Sequence, residues 1–230
     1  MVNQTSTLQN KPNKSVIIIG ILAAFLLPLG LTIAVGSLNI NYYDKLFYSR
    51  FIPWLTVLLL FLYARKVERQ DFLLWAESKP ALGFFLVSVV VLYLLSIAAA
   101  IVSSIPTLFG WHENNEVMKK IVKLLKGRQV FIFYIALTAG ITEEFIFRGY
   151  MLTRLSQLFK NPYIPVIISS LLFGALHYKY NSLREVIFAF LIGIIFSIYY
   201  LKYRNIKALM AAHFFIDFIN LTLAQHLKMK

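Results

Sequence analysis

Ten acidic residues and four histidines occur in this 230-residue chain. Seven of the acids fall in loops or at the ends of apolar runs. The other three, Glu143, Glu144 and Asp217, lie within or against strongly hydrophobic sequence. The histidines divide in the same way. His112 and His226 sit in polar or terminal stretches, His177 closes the run LLFGALH, and His213 lies inside ALMAAHFFIDFIN. Arg148 completes the set. An ionisable group at membrane depth costs several kcal/mol unless it is paired or hydrated, so each of these six residues is a candidate for function.

Helical spacing gives the set a geometry. Glu144 and Arg148 are four residues apart with the acid first, the favourable order for an ion pair along a helix. Glu143 is rotated by about 100° and faces another direction. His213 and Asp217 also share a face, which Asn220 continues. Phe173 and His177 share another, with Gly174 beside them allowing close helix approach.

Hydrolysis of a peptide bond requires an activated water, a group that holds the tetrahedral oxyanion, and a proton donor for the leaving amine. A glutamate in an apolar site can act as general base and then as general acid. A histidine can share the water or bind a metal, and a second histidine with a nearby Asp can donate to the oxyanion. Glutamate with two histidines is also a zinc set with an open fourth position. The sequence has no HExxH, so zinc ligands would have to come from three separate helices. The same residues therefore fit a zinc site or a metal-free glutamate mechanism.

The elements that must position these groups follow from composition. The chain is 59% hydrophobic and 14% charged, far from the balance of an ordinary soluble domain. The spacing of apolar runs predicts an all-α, polytopic membrane helical bundle of roughly seven transmembrane helices plus amphipathic surface helices. The expected spans are 15–35, 51–64 (starting near 47 if Arg50 snorkels), 81–102, 130 into the ITEE stretch, 163–178, 186–201 and 208–227. The first is too long for a signal h-region and reads as a retained span. Residues 65–80 contain Phe72, Leu73 and Trp75 and read as an interfacial stretch. In NEVMKKIVKLLKG, Val117, Ile121, Leu124 and Leu125 alternate with Lys119, Lys120, Lys123 and Lys126, the pattern of a basic amphipathic helix on a membrane surface. FIFRGYMLTRLSQLF reads as a separate amphipathic helix after span four, ended by Asn161 and Pro162.

The formal charge of +13 does not point to nucleic acid, because the basic residues sit in short loops between apolar runs. With no cysteine, disulfides and thiolate metal sites are excluded. The organisation expected is one membrane domain: a polar tail (1–14), N-terminal spans without motifs plus the basic helix (15–129), and a bundle carrying the candidate residues (130–230). The Lys/Arg counts on the two sides nearly balance; Lys11 and Lys14 before the first span favour a cytoplasmic N-terminus.

TEEFIFRGYM, FGALH and HFFID resemble the three motifs of the CAAX protease and bacteriocin-processing family, also called the Abi family: EExxxR, FxxxH, and Hxxx followed by Asn or Asp. The matching residues are Glu143-Glu144-Arg148, Phe173-His177 and His213-Asp217, over about 130–221. The resemblance implies an intramembrane endopeptidase of the cell membrane, acting on a membrane-associated peptide, lipidated peptide or protein precursor, with lipid as its other partner. By the same resemblance Glu143 and His177 would activate water, His213 and Asp217 would hold the oxyanion or orient the substrate carbonyl, and Arg148 would anchor Glu144. It also implies a bacterial member, linked to peptide maturation or bacteriocin self-immunity. Family members are described both as metalloproteases and as metal-free glutamate enzymes.

One geometric tension accompanies this expectation. Glu143 lies 13 residues into span four and His177 lies 14 into span five, so each is about 20 Å from its start. Antiparallel helices with aligned ends would leave them offset by about 10 Å across a core of about 30 Å. They meet if span four ends early or if the amphipathic helix after it shifts span five; the second is expected. Two readings of other classes remain open: a non-catalytic membrane scaffold or immunity protein, and a small proton-coupled transporter, which also uses buried Glu, His and Asp.

Overall fold

The structure is a computed structural model that describes residues 12–226. Most of the polar tail, with Lys11, and the expected end of the last span at 227 lie outside the described residues. Helices and no strands make up the described chain. Helix α1 (Lys14–Ser37) is capped by the Asn13 side chain, which accepts from the Ser15 amide. Next, α2 (Tyr42–Ser49) and α3 (Phe51–Tyr63) follow each other with a step at Arg50 and continue through a π-helical stretch, Ala64–Glu68. Then come α4 (Leu82–Ser103), the short α5 (Ile105–Leu108), α6 (Glu116–Leu125) and α7 (Gln129–Glu144). The last passes directly into a π-helical segment, Phe145–Leu152, and α8 (Thr153–Leu158). Finally α9 (Tyr163–Leu176), α10 (Leu183–Tyr203) and α11 (Ile206–Ala224) complete the bundle.

Six helical stretches are long and apolar enough to cross a membrane, and the chain is an integral membrane protein. The fifth expected span, α9, is not among them: it has 14 residues, about 21 Å. A 3₁₀ turn, His177–Tyr180, extends it.

The largest departure from the sequence expectation concerns span four. FIFRGYMLTRLSQLF is not a separate amphipathic helix. Gln129–Leu158 is one 30-residue stretch, and its charged residues point inward: Arg148 and Arg154 are both buried. This removes the offset between Glu143 and His177 without displacing span five. From Glu143 the chain descends 15 residues to Leu158, about 22 Å, and from Tyr163 it climbs 14 residues to His177, about 21 Å. The two side chains therefore return to the same depth.

Arg154 can be buried because the segment after α3 folds in to meet it. Its guanidinium donates to Glu68 Oε2 at 2.8 Å and to the carbonyls of Asp71 and Phe72. Tyr150 donates its hydroxyl to the other Glu68 oxygen at 2.6 Å. A few residues on, Glu77 accepts from Tyr200 Oη and from the Ile206 amide at 2.7 Å. It thus satisfies an orphan donor at the start of α11 while Asn205 caps the Ala208 amide. The stretch expected to lie at the interface forms a clamp across the ends of α8, α10 and α11.

At the opposite rim, α6 forms where its pattern predicts. Ile121, Val122 and Leu125 are buried, and Ile121 and Leu125 cluster with Phe131, Ile132 and Ile135 of α7 and with Leu46 and Phe47 of α2. Lys120 and Lys123 face outward. The apolar face of this helix is therefore covered largely by protein.

Apolar burial drives helix association weakly when the surroundings are lipid, so close packing of small residues carries much of it. Gly174 faces the backbone of α10, and Gly193 faces Ser170 of α9. Gly140 meets backbone on two sides: a Cβ there would stand 2.9 Å from both the Met210 carbonyl oxygen and the Phe214 nitrogen. Backbone cannot swing aside as a side chain can, so Gly140→Val must push α11 away from α7. The expected cost is about 1–3 kcal/mol, read as a lower thermal midpoint in detergent, and His213 should be drawn away from Glu144.

Candidate active site

Glu144 is the hub of the buried polar groups. Its Oε1 accepts from Arg148 Nη1 at 2.8 Å, one turn along the same stretch, and from His213 Nδ1 at 2.7 Å, across on α11. Glu144 has no exposed surface and Arg148 has 1%, so this is a desolvated ion pair with a second charge-assisted bond. The sequence shows the Glu144–Arg148 half. The His213 half requires α7 and α11 to pack closely, which Gly140 permits.

Arg148 also explains the phenylalanine of FxxxH. Its guanidinium lies over the Phe173 ring at 4.7 Å and over Phe196 at 5.3 Å, and Nη2 reaches the Ile192 carbonyl at 3.4 Å. Cation–π contacts gain strength when the cation is desolvated. Phe173 in turn stands 4.9 Å from the His177 ring, and its carbonyl oxygen is 2.9 Å from His177 Nδ1. A carbonyl only accepts, so Nδ1 carries the proton and Nε2 is the nitrogen left for chemistry.

Glu143 faces away from this brace, as the rotation between adjacent helical positions requires. Its side chain is 24% exposed, and its Oε2 lies 3.9 Å from His213 Nε2. Asp217 Oδ2 approaches the same nitrogen at 3.7 Å. The structure thus links Glu143, Glu144, Arg148, His213 and Asp217 in one connected cluster.

His177 joins the cluster through two cavities that share a wall. One, about 370 Å³, is lined by apolar residues of α1 and α3, including Pro28, Ile33 and Pro53, and by Phe147 and Phe173. The other, about 360 Å³, holds His213, Asp217, Asn220, Tyr180 and Glu185, with Ile121 and Leu125 of α6 at its side. Glu143, His177 and Arg50 line both. The pair expected to activate water stands where an apolar cleft meets a polar chamber.

Sequence reasoning did not select Arg50, Tyr180 or Glu185. In the sequence Arg50 entered only as the residue that would have to snorkel for span two to start near 47; in the structure it lines both cavities. An arginine inside an otherwise apolar run was the available signal. His112 and His226 lie exposed, away from the cluster.

Among the described residues, no three His, Asp or Glu side chains converge as ligands of one ion. Each histidine is held through Nδ1, His213 by Glu144 and His177 by a backbone carbonyl, which leaves Nε2 of both open to the cavities. A zinc set and a metal-free glutamate mechanism would both draw on these residues, and no step below passes through a metal.

Residues 127–219 match the family model described as type II CAAX prenyl endopeptidase Rce1-like. That stretch contains all three motifs and leaves α1 to α6 outside it. No curated protein and no solved structure matches the chain.

Proposed function

We propose that this chain, whose residues 127–219 match the Rce1-like endopeptidase model, is an intramembrane protease that cleaves a membrane-associated peptide, lipidated peptide or protein precursor within the cell membrane. One observation carries the reading: Glu143 and His177 share the junction of the two cavities, and the Glu144–Arg148–His213 brace stands behind them.

The apolar cleft between α1, α3 and α9 receives the apolar part of the substrate, and the peptide bond lies at the junction. Glu143 takes a proton from a water that His177 Nε2 helps to hold. The water oxygen attacks the carbonyl carbon, and the π pair moves onto the carbonyl oxygen. His213 donates from Nε2 to that oxyanion. Glu143 then returns the proton to the amide nitrogen as the C–N bond breaks, and its pair goes to the leaving amine. Asp217 orients His213 through Nε2. Glu144 fixes it through Nδ1, so the imidazole is held from both sides. Peptide maturation or self-immunity against a bacteriocin would use such a reaction.

The test is cleavage of a pool of membrane-anchored peptides by the purified protein in detergent and in liposomes, with and without a chelator, alongside metal analysis. Chelator-resistant cleavage is expected. Intact peptides together with pH-driven ion flux would support a transporter instead. Intact peptides without flux, at full biological activity, would support a scaffold.

A further inference from the structure

The oxyanion side of this reaction is short of donors. His213 offers only Nε2, because Nδ1 is bonded to Glu144. The groups nearest that nitrogen are Asp217 at 3.7 Å and Glu143 at 3.9 Å. Asp217 as a carboxylate only accepts, and the proton that Glu143 takes from water is the one it returns to the amide nitrogen. With the water proton on Glu143, an oxyanion forming beside Nε2 would meet one donor there and the negative charge of Asp217. A second donor has to come from another wall of the cavity.

Three cations line the cavities: Arg50, Lys179 and Arg184. Lys179 and Arg184 are exposed. Arg50 is half-buried and lines both cavities with Glu143 and His177. Its Nε and Nη2 contact only the hydroxyl of its neighbour Ser49, at 3.4 and 3.2 Å. Among the described residues, no carboxylate lies within ion-pair distance of it. The backbone beneath it is fixed at the α2–α3 step, where the Arg50 amide donates to the Phe47 carbonyl at 3.1 Å. A half-buried guanidinium on a rigid base, without an acidic partner, is suited to meet a negative charge that appears during a reaction.

We propose that Arg50 is a catalytic residue that donates to the oxyanion of the tetrahedral intermediate in the cavity it lines together with His213. This rests on the peptidase reading above. When water oxygen bonds to the carbonyl carbon and the π pair becomes a lone pair on oxygen, Arg50 and His213 Nε2 each give that oxygen one hydrogen bond. When the C–N bond breaks and C=O re-forms, both bonds weaken again. Arg50 neither gains nor loses a proton. It also brings the otherwise unmatched N-terminal half of the chain into the reaction.

The experiment compares Arg50→Gln and Arg50→Lys in the wild-type and Glu143→Gln backgrounds, with rates normalised to the folded fraction. Arg50→Gln should lower kcat by about 10² to 10³-fold, the usual loss for one oxyanion donor, with KM little changed. Arg50→Lys should recover part of the loss by keeping the charge. An uncleaved membrane-anchored peptide should bind Glu143→Gln and Glu143→Gln/Arg50→Gln equally well, because the oxyanion is absent from the ground state. Normal kcat in Arg50→Gln overturns the proposal. So does a loss confined to KM and to binding that vanishes when the peptide C-terminus is amidated; Arg50 would then anchor a substrate carboxylate. Cleavage by wild type and none by Glu143→Gln, with full activity in Arg50→Gln, removes only Arg50. No cleavage by wild type removes the peptidase reading and this proposal together.

Discussion

Glu143→Gln should abolish peptide cleavage and leave the folded protein intact. Glutamine keeps the size of the side chain and can still point into the cavities, but it cannot take a proton from water. Loss of a general base costs about 10² to 10⁴-fold. The higher end is expected here, since Glu144 and Asp217 are poorly placed to substitute. Glu144 is enclosed and spends Oε1 on Arg148 and His213, and Asp217 is directed at His213. Stability should change little, because Glu143 makes no close ion pair; its nearest partner is His213 Nε2 at 3.9 Å. The measurement is single-turnover cleavage beside a thermal melt in detergent. A variant that still cleaves at more than about a tenth of the wild-type rate would remove Glu143 from the chemistry.

Glu144→Ala should fail for a different reason. It leaves the Arg148 guanidinium enclosed among Phe173, Phe196 and the α10 backbone without its counter-ion. Breaking a buried pair by deleting one partner costs about 3–5 kcal/mol, because the remaining charge is uncompensated. Solvent screening offers no relief, since the two side chains are 0% and 1% exposed. His213 loses its Nδ1 partner in the same step. Low yield, a lowered melting midpoint and lost cleavage should therefore appear together. Glu144→Gln separates the two contributions. Its amide oxygen can still accept from both partners, so it should hold more of the fold than alanine while leaving Arg148 unneutralised. Equal midpoints for wild type and Glu144→Ala would show that the brace has no structural part.

The two variants test a division visible along ITEEFIFRGY. Adjacent residues on a helix point about 100° apart, so one glutamate meets Arg148 and the other cannot. That follows from local period alone. For the same reason the apolar runs located most helices to within a few residues, and the i,i+4 relation placed His213 and Asp217 on one face. The three motifs also marked the stretch that the endopeptidase family model matches.

Other features depended on how separate helices meet. Glu144 binds His213, 69 residues away, because Gly140 lets the α11 backbone come close. FIFRGYMLTRLSQLF carries two arginines and looked too polar to continue a span. It continues because Phe173, Phe196, Glu68 and two backbone carbonyls from other parts of the chain surround those charges. That continuation is what returns Glu143 and His177 to one depth. Arg50 reaches the cavities through the packing of α2 and α3 against the bundle. Residue type and helical period are properties of neighbours in the chain, so the sequence determined the membrane class, the helices and the acid, histidine and arginine set. The partners of a buried charge are properties of neighbours in space, so only the tertiary structure decided that His213 completes the Glu144 brace, that Glu143 faces the cavities, and which arginine stands beside it.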